Sequence, residues 1–172
     1  MIEILLDLKD YDQDNAVTVF HRIAARAIVK RGDKYLVVYG KDGDCKFPGG
    51  GQEEGETLID TMIRETREET GYQVVDASVK REPVYKIHEI SKGEKEDMFI
   101  MDSYYFECQV EDEQNIQKLD EYEADLEYMP DWLTLDEIRT MNAKAVSHEN
   151  LRWVRRELLV TEKLIESMEA NK

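Results

Sequence analysis

The sequence predicts a mixed α/β (α+β) sandwich, and three observations predict it. Apolar, β-branched runs joined by tight turns fill residues 17–39. An amphipathic helical pattern occupies 57–70 and stops at Gly71. Strand-like runs then return, and helical periodicity dominates only after residue 134.

Taken in order, the first fifteen or so residues read as an acidic extension (1–16) to a single domain spanning 1–172. Val17-Thr18-Val19-Phe20 through Ile28-Val29 predicts a strand, Arg31-Gly32-Asp33 a turn, and Tyr35-Leu36-Val37-Val38-Tyr39 a second strand. Lys41-Asp42-Gly43-Asp44 is another turn, and Phe47-Pro48-Gly49-Gly50-Gly51 a loop. Leu58, Ile59, Met62, Ile63 and Thr66 share one face of the helix predicted over Thr57–Thr70, with Gly71 as its C-terminal cap. Two strands follow, at about Val74–Ile90 and Met98–Val110, with a hairpin at the polar Ser91–Asp97. The acidic stretch Glu111–Glu127 reads as a surface loop. A short helix, Thr134–Met141, begins at a capping pattern formed by Thr134 and Glu137. A long helix from about Ser147 to Glu169 carries Leu151, Val154, Leu158, Leu159, Leu164, Ile165 and Met168 at helical spacing, a face for the sheet or for a homodimer seam.

Composition excludes several classes of partner. Lys plus Arg total 23 against 39 Asp plus Glu, a formal net charge of -16. Such a chain repels nucleic acid and anionic membranes, although a local basic pocket can still hold a small anion. Cys45 and Cys108 lack metal-type spacing and are too few for a disulfide scaffold, so reduced thiols are expected. No apolar run approaches the ~18 residues of a membrane span. The start, Met1–Asp7, lacks the basic region and cleavage site of a signal peptide, and a cytoplasmic location is the expectation.

The chemistry concentrates between Gly50 and Tyr72. Glu65, Glu68 and Glu69 are related by three and four residues, so on a helix their carboxylates converge on one strip roughly 100° wide. Hard oxygen ligands clustered in this way suit Mg²⁺, with Mn²⁺ as substitute. A solvated glutamate-rich face is the plain alternative. The glycines weigh against it, because backbone at Gly49, Gly50 and Gly51 can approach a phosphate or a metal without a Cβ in the way, next to a helix N-terminus that favours anions.

The run Gly50-Gly51-Gln52-Glu53-Glu54-Gly55-Glu56-Thr57-Leu58-Ile59-Asp60-Thr61-Met62-Ile63-Arg64-Glu65-Thr66-Arg67-Glu68-Glu69-Thr70-Gly71-Tyr72 resembles the Nudix box, G-x5-E-x7-R-E-U-x-E-E-x-G-U, where U is bulky and apolar. Every fixed Gly, Glu and Arg position matches. Thr66 and Tyr72 depart from the aliphatic preference, at positions of packing rather than of ligands. Phe47-Pro48-Gly49 upstream and Asp131-Trp132-Leu133-Thr134-Leu135-Asp136-Glu137-Ile138 downstream agree more loosely.

The resemblance implies a Nudix-type α/β/α sandwich with a mixed sheet, and hydrolysis of a nucleoside diphosphate linked to a group X by in-line attack of water on phosphorus. It implies Glu68 and Glu69 as principal Mg²⁺ ligands, the Gly49 carbonyl as a backbone ligand, and Glu65 as a further ligand or the base that orients water. Arg64 would hold a glutamate of the box through a bidentate pair that lysine cannot copy. Glu56 would buttress that network or reach a second ion. A nucleoside triphosphate is the favoured substrate, given the modest length. ADP-ribose, a nucleotide sugar, or a silent domain that only binds nucleotide are the alternatives.

Weaker signals surround this set. Arg22 and Arg26 face one side of a strand, so Arg26, with Gly50 and Gly51, is a candidate substrate contact; a rim charge is the simpler reading. Glu123 and Glu127 lie where a further acidic ligand or base could come from. His21, His88 and His148 read as surface or packing residues, and Phe20, Tyr85 and Tyr105 as core rather than base-stacking aromatics. Lys46, beside the expected substrate mouth, reads as solvated. Replacing Glu68 or Glu69 by Gln is expected to leave the metal-free protein as stable or slightly more so, since it removes like-charge repulsion.

Overall fold

A computed structural model describes residues 1–12, 14–15, 17–147 and 153–170. Its strands are β1 (Ile2–Asp7), β2 (Val19–Arg31), β3 (Lys34–Tyr39), β4 (Cys45–Lys46), β5 (Gly49–Gly51), β6 (Tyr72–Val74), β7 (Tyr85–Lys92), β8 (Met98–Cys108), β9 (Val110–Gln114) and β10 (Met129–Thr134). Its helices are α1 (Leu58–Thr70), α2 (Glu121–Asp125), α3 (Leu135–Ala145) and α4 (Trp153–Ala170).

The main sheet runs β1-β7-β8-β2-β3-β10, with β4 added on β3 and β5 on β2. It is mixed: β1 with β7 and β2 with β8 are parallel, while β7 with β8 and β2 with β3 are antiparallel. β2 is its spine, because successive side chains on a strand point to opposite faces. Ala25, Ala27 and Val29 meet Met62 and its neighbours on α1. Ile28 faces the other way, into a core with Tyr105, Phe47, Leu135 and Ile138 of α3, and Val160 and Leu164 of α4. Helices thus cover both faces, giving the α/β/α sandwich.

Several boundaries differ from the sequence expectation. Residues 2–7 are an edge strand in parallel register with Tyr85–Ile90 rather than part of a loose extension. The strand expected over Val74–Ile90 is broken. β6 ends at Val74, a short 3₁₀ turn covers Asp76–Ser78, and β7 starts only after Pro83, which has no N–H for a ladder. The acidic stretch expected as a loop contains β9 and α2. Thr57 is the N-cap of α1, reciprocally bonded with Asp60, and Gly71 closes the helix at φ 75°. Thr66 accommodates its unusual place by turning its hydroxyl onto the Met62 carbonyl, 2.7 Å away. Tyr72 packs edge-on against Trp132, whose Nε1 donates to the Tyr72 hydroxyl.

On α4, Val154, Val160 and Leu164 are buried within the chain; Leu151 lies outside the described residues. The same helix also buries two charges that periodicity did not reveal. Arg156 donates to Glu89, Tyr105 and Glu157, and Glu157 Oε2 accepts the Phe47 N–H at 3.0 Å. From α3, Asn142 bonds both the N–H and the C=O of Cys45 at 2.9 Å. Two helices therefore clamp the backbone of residues 45–47. Cys45 and Cys108 are both buried and free, and burial pushes the Cys108 thiol up to about 12. No helix among the described residues is long and apolar enough to cross a membrane.

Candidate active site

α1 projects Arg64, Glu65, Glu68 and Glu69 toward β5. Arg64 organises the near end. Its Nε and Nη2 bond the two oxygens of Glu56 at 2.6 and 3.0 Å, a bidentate pair. Its Nη1 reaches Glu65 at 2.8 Å and Glu68 at 3.2 Å, and Nη2 also reaches the Gly51 carbonyl at 3.1 Å. Thr61 adds a hydroxyl donor to Glu56. The Arg64 hydrogen bond holds the Glu56 carboxyl down to about 2, so Glu56 stays ionised throughout the useful pH range. Arg64 thus ties the turn that precedes α1 to the helix itself.

The far end is buried. Glu69 is fully enclosed; its Oε2 accepts the Gly49 N–H at 2.8 Å and its Oε1 accepts Lys46 Nζ at 2.6 Å. Glu65 lies against Gly50, so close that a Cβ there would sit 2.5 Å from its carboxylate. Burial and the neighbouring Glu69 raise its pKa. A third carboxylate arrives from α2. Glu123 forms a reciprocal capping pair with Asp120, which fixes the start of that helix. Carboxylate oxygens of Glu65, Glu69 and Glu123 lie within 4.8 Å of one another, and among the described residues no other such group converges.

The placement differs from the sequence expectation at several residues. Glu68, read as a principal ligand, stands outside the trio and is paired with Arg64. Glu123 joins the trio, whereas Glu127 is exposed at a positive φ and does not. The Gly49 carbonyl accepts Arg26 Nη1 at 2.9 Å, and a guanidinium there opposes a second cation on that oxygen. Arg26 is not a rim charge: it is 5% exposed and its Nη1 also reaches the Phe47 carbonyl. Arg22 is the exposed member of that pair. It lies beside Gly51, and no ion pair is found for it among the described residues. Lys46, expected in solvent, is buried against Glu69 with its ammonium 4.3 Å from the centre of the Tyr128 ring.

His21 and His88 flank Asp102 at 2.9 and 2.8 Å and are not part of the trio, and His148 lies outside the described residues. Tyr85 and Tyr105 are core residues, while Phe20 is half-exposed against Phe99.

The donor set fits a hard divalent ion. It is all oxygen and partly enclosed. The close seat of Glu65 on Gly50 is a cradle that any larger residue would fill.

Burial and the adjacent Glu69 push the Glu123 carboxyl up to about 8, from an ordinary value of 4.5. Between those values the folded protein holds a proton that the unfolded chain has released, so this group's contribution to stability falls as pH rises through the window. Glu123→Gln should therefore stabilise the metal-free protein at pH 9 relative to wild type and leave it unchanged at pH 5. Urea unfolding in EDTA at the two pH values measures this, and an equal difference at both would mean a solvated Glu123.

A family model for the NUDIX domain matches residues 20–159, most of the chain. The chain belongs to the Nudix family. Among curated proteins no match is found. Among solved structures, the Nudix chain is similar to a NUDIX hydrolase from Nitrosomonas europaea, with 23% identity and a TM-score of 0.57 over 89% of this chain and 91% of that one. It is also similar to a MutT protein from Bacillus halodurans (21% identity, TM-score 0.46, 70% and 72% covered). An ADP-ribose pyrophosphatase from Streptococcus suis gives 17% identity and a TM-score of 0.42, with 67% and 75% covered. The likeness to the Nitrosomonas europaea protein concerns the fold. The Nudix box, Gly50–Tyr72, lies wholly inside the matched region.

Proposed function

We propose that this Nudix protein hydrolyses a phosphoric anhydride bond of a nucleotide with Mg²⁺ or Mn²⁺ as cofactor, a nucleoside triphosphate being the favoured substrate. The observation that carries the reading is the convergence of Glu65, Glu69 and Glu123 beside the Gly49–Gly51 strand. These three carboxylates are the residues that would hold the ion. A bound Mg²⁺ neutralises charge on the phosphates and makes water a better nucleophile near neutral pH.

The chain's own residues supply position. Arg64 locks Glu56, Glu65 and Glu68 into one register, and Gly49 orients Glu69 through its N–H. Arg22, for which no ion pair is found among the described residues, offers its guanidinium to a phosphate beside Gly51. In the reaction, water adds to one phosphorus, the opposite bridging P–O bond breaks, and the water proton passes to a carboxylate. Glu68 is the candidate acceptor because it remains outside the trio.

The test is a nucleotide panel assayed for kcat/KM with Mg²⁺, with Mn²⁺ and with excess EDTA. The expected result is turnover only with a divalent ion and the highest kcat/KM on a triphosphate. A preference for ADP-ribose or a nucleotide sugar would reassign the substrate and keep the chemistry. Undiminished turnover in EDTA would overturn the reading.

A further inference from the structure

Lys46 occupies a place that needs explaining. It lies on the short strand β4, next to Phe47, and its side chain is only 11% exposed. A buried ammonium is costly unless a negative charge compensates it. Here Glu69 does so at 2.6 Å, and the Tyr128 ring covers the ammonium at 4.3 Å. Glu69 is also the most enclosed carboxylate of the trio, and Glu65 and Glu123 both feel the lysine charge. The backbone that carries Lys46 is held rigidly by Asn142 and Glu157, so the ammonium is delivered to Glu69 by the fold itself.

We infer that Lys46 is a built-in stand-in for the divalent ion. Its ammonium compensates the Glu69 charge beside Glu65 and Glu123 in the metal-free protein and competes with the metal for Glu69. The inference rests on the metal-site reading above. Two cations on one carboxylate repel each other, so binding of the divalent ion weakens the Lys46–Glu69 contact and leaves the ammonium free to meet an incoming phosphate. The ion then binds weakly to the protein alone and more tightly together with a polyphosphate. A lysine with a merely structural role makes the opposite prediction, because removing it would loosen the site and weaken metal binding.

The experiment is Mn²⁺ binding to the full-length, nucleotide-free protein, followed by electron paramagnetic resonance of the free ion, together with melting in EDTA. Lys46→Met keeps the length and apolar stem of the side chain without its charge. It should bind Mn²⁺ about tenfold more tightly than wild type, within the usual range of coupling between two sites. Its melting temperature should fall in EDTA and recover with saturating Mn²⁺. Lys46→Arg should keep the weak binding of the wild type. Lys46→Gln, which retains a donor for Glu69, should also bind more tightly and serves in place of Lys46→Met if that variant does not fold. Unchanged or weaker binding in the uncharged variants, with binding lost in Glu69→Gln, overturns the lysine's role alone. Mn²⁺ binding that survives Glu69→Gln, or is absent from the wild type, overturns the metal site and this inference with it.

Discussion

Glu69→Gln should lower turnover by more than about a hundredfold, beyond what loss of an outer-shell partner costs a metal site. It should also remove the stabilisation expected of Mg²⁺ with nucleotide in the wild type, since a ligand that binds only the native state stabilises only while its site exists. The metal-free protein should lose stability as well, by about 1–3 kcal/mol, because Glu69 is the partner of a buried ammonium. For a chain of this size each kcal/mol is roughly 2–4 °C of melting temperature. This reverses the expectation from the glutamate strip alone, in which removing one charge only relieves repulsion. Glu68→Gln is the contrast: a partly exposed carboxylate sharing Arg64 should change stability by no more than about 0.5 kcal/mol. Thermal melts of both variants, with and without Mg²⁺ and nucleotide, together with kcat/KM, decide the matter. Wild-type turnover and a wild-type metal response in Glu69→Gln would remove Glu69 from the site.

Alanine at the two neighbouring glycines should separate fold from function. Gly49 adopts φ 145°, and a Cβ there would lie 2.2 Å from the Ala25 carbonyl oxygen and 2.6 Å from the Arg26 Cα. Both obstacles are backbone of β2 and cannot move without unpairing β5. Gly49→Ala should therefore cost about 3–5 kcal/mol, combining strained φ with overpacking. At Gly50 the obstacle is different: the end of the Glu65 side chain, at 2.5 Å. A flexible carboxylate can swing aside, so Gly50→Ala should change stability by less than about 1 kcal/mol while displacing one carboxylate of the trio. Urea unfolding and kcat/KM on the two variants give the readout. A fully active Gly50→Ala would mean that Glu65 is not needed where it lies.

Much of the site was legible in the sequence because much of it is local. Arg64, Glu65, Glu68 and Glu69 share a helix, and spacing alone places them on one side of it. What escaped came from pairing between distant segments. Glu123 and Glu127 sit in the same acidic stretch, and only one turns inward. The Asp120–Glu123 capping pattern is the local signal that distinguishes them, because it starts a helix and fixes the direction of Glu123. Lys46 carries no such signal. Its burial follows from the pairing of β4 with β3 and from Tyr128, neither of which a short window reveals. Arg26, Arg156 and Glu157 look like surface charges in isolation, and they become interior residues only when β2, β7 and α4 meet. The edge strand β1 was hidden for the same reason, since its partner β7 lies far along the chain.

The hydrogen bond from the Phe47 N–H to Glu157 spans 110 residues. Strands β2 to β5 and the whole of α1 emerge from a ribosome long before that partner exists, and domains assemble as their segments become available. The carboxylates of α1 and the pairing of Gly49 with Arg26 on β2 can form early, but the clamp on residues 45–47, which carries Lys46 to Glu69, stays incomplete until α4 has been made and docked. Completion of the site is therefore a late event in the life of each new molecule.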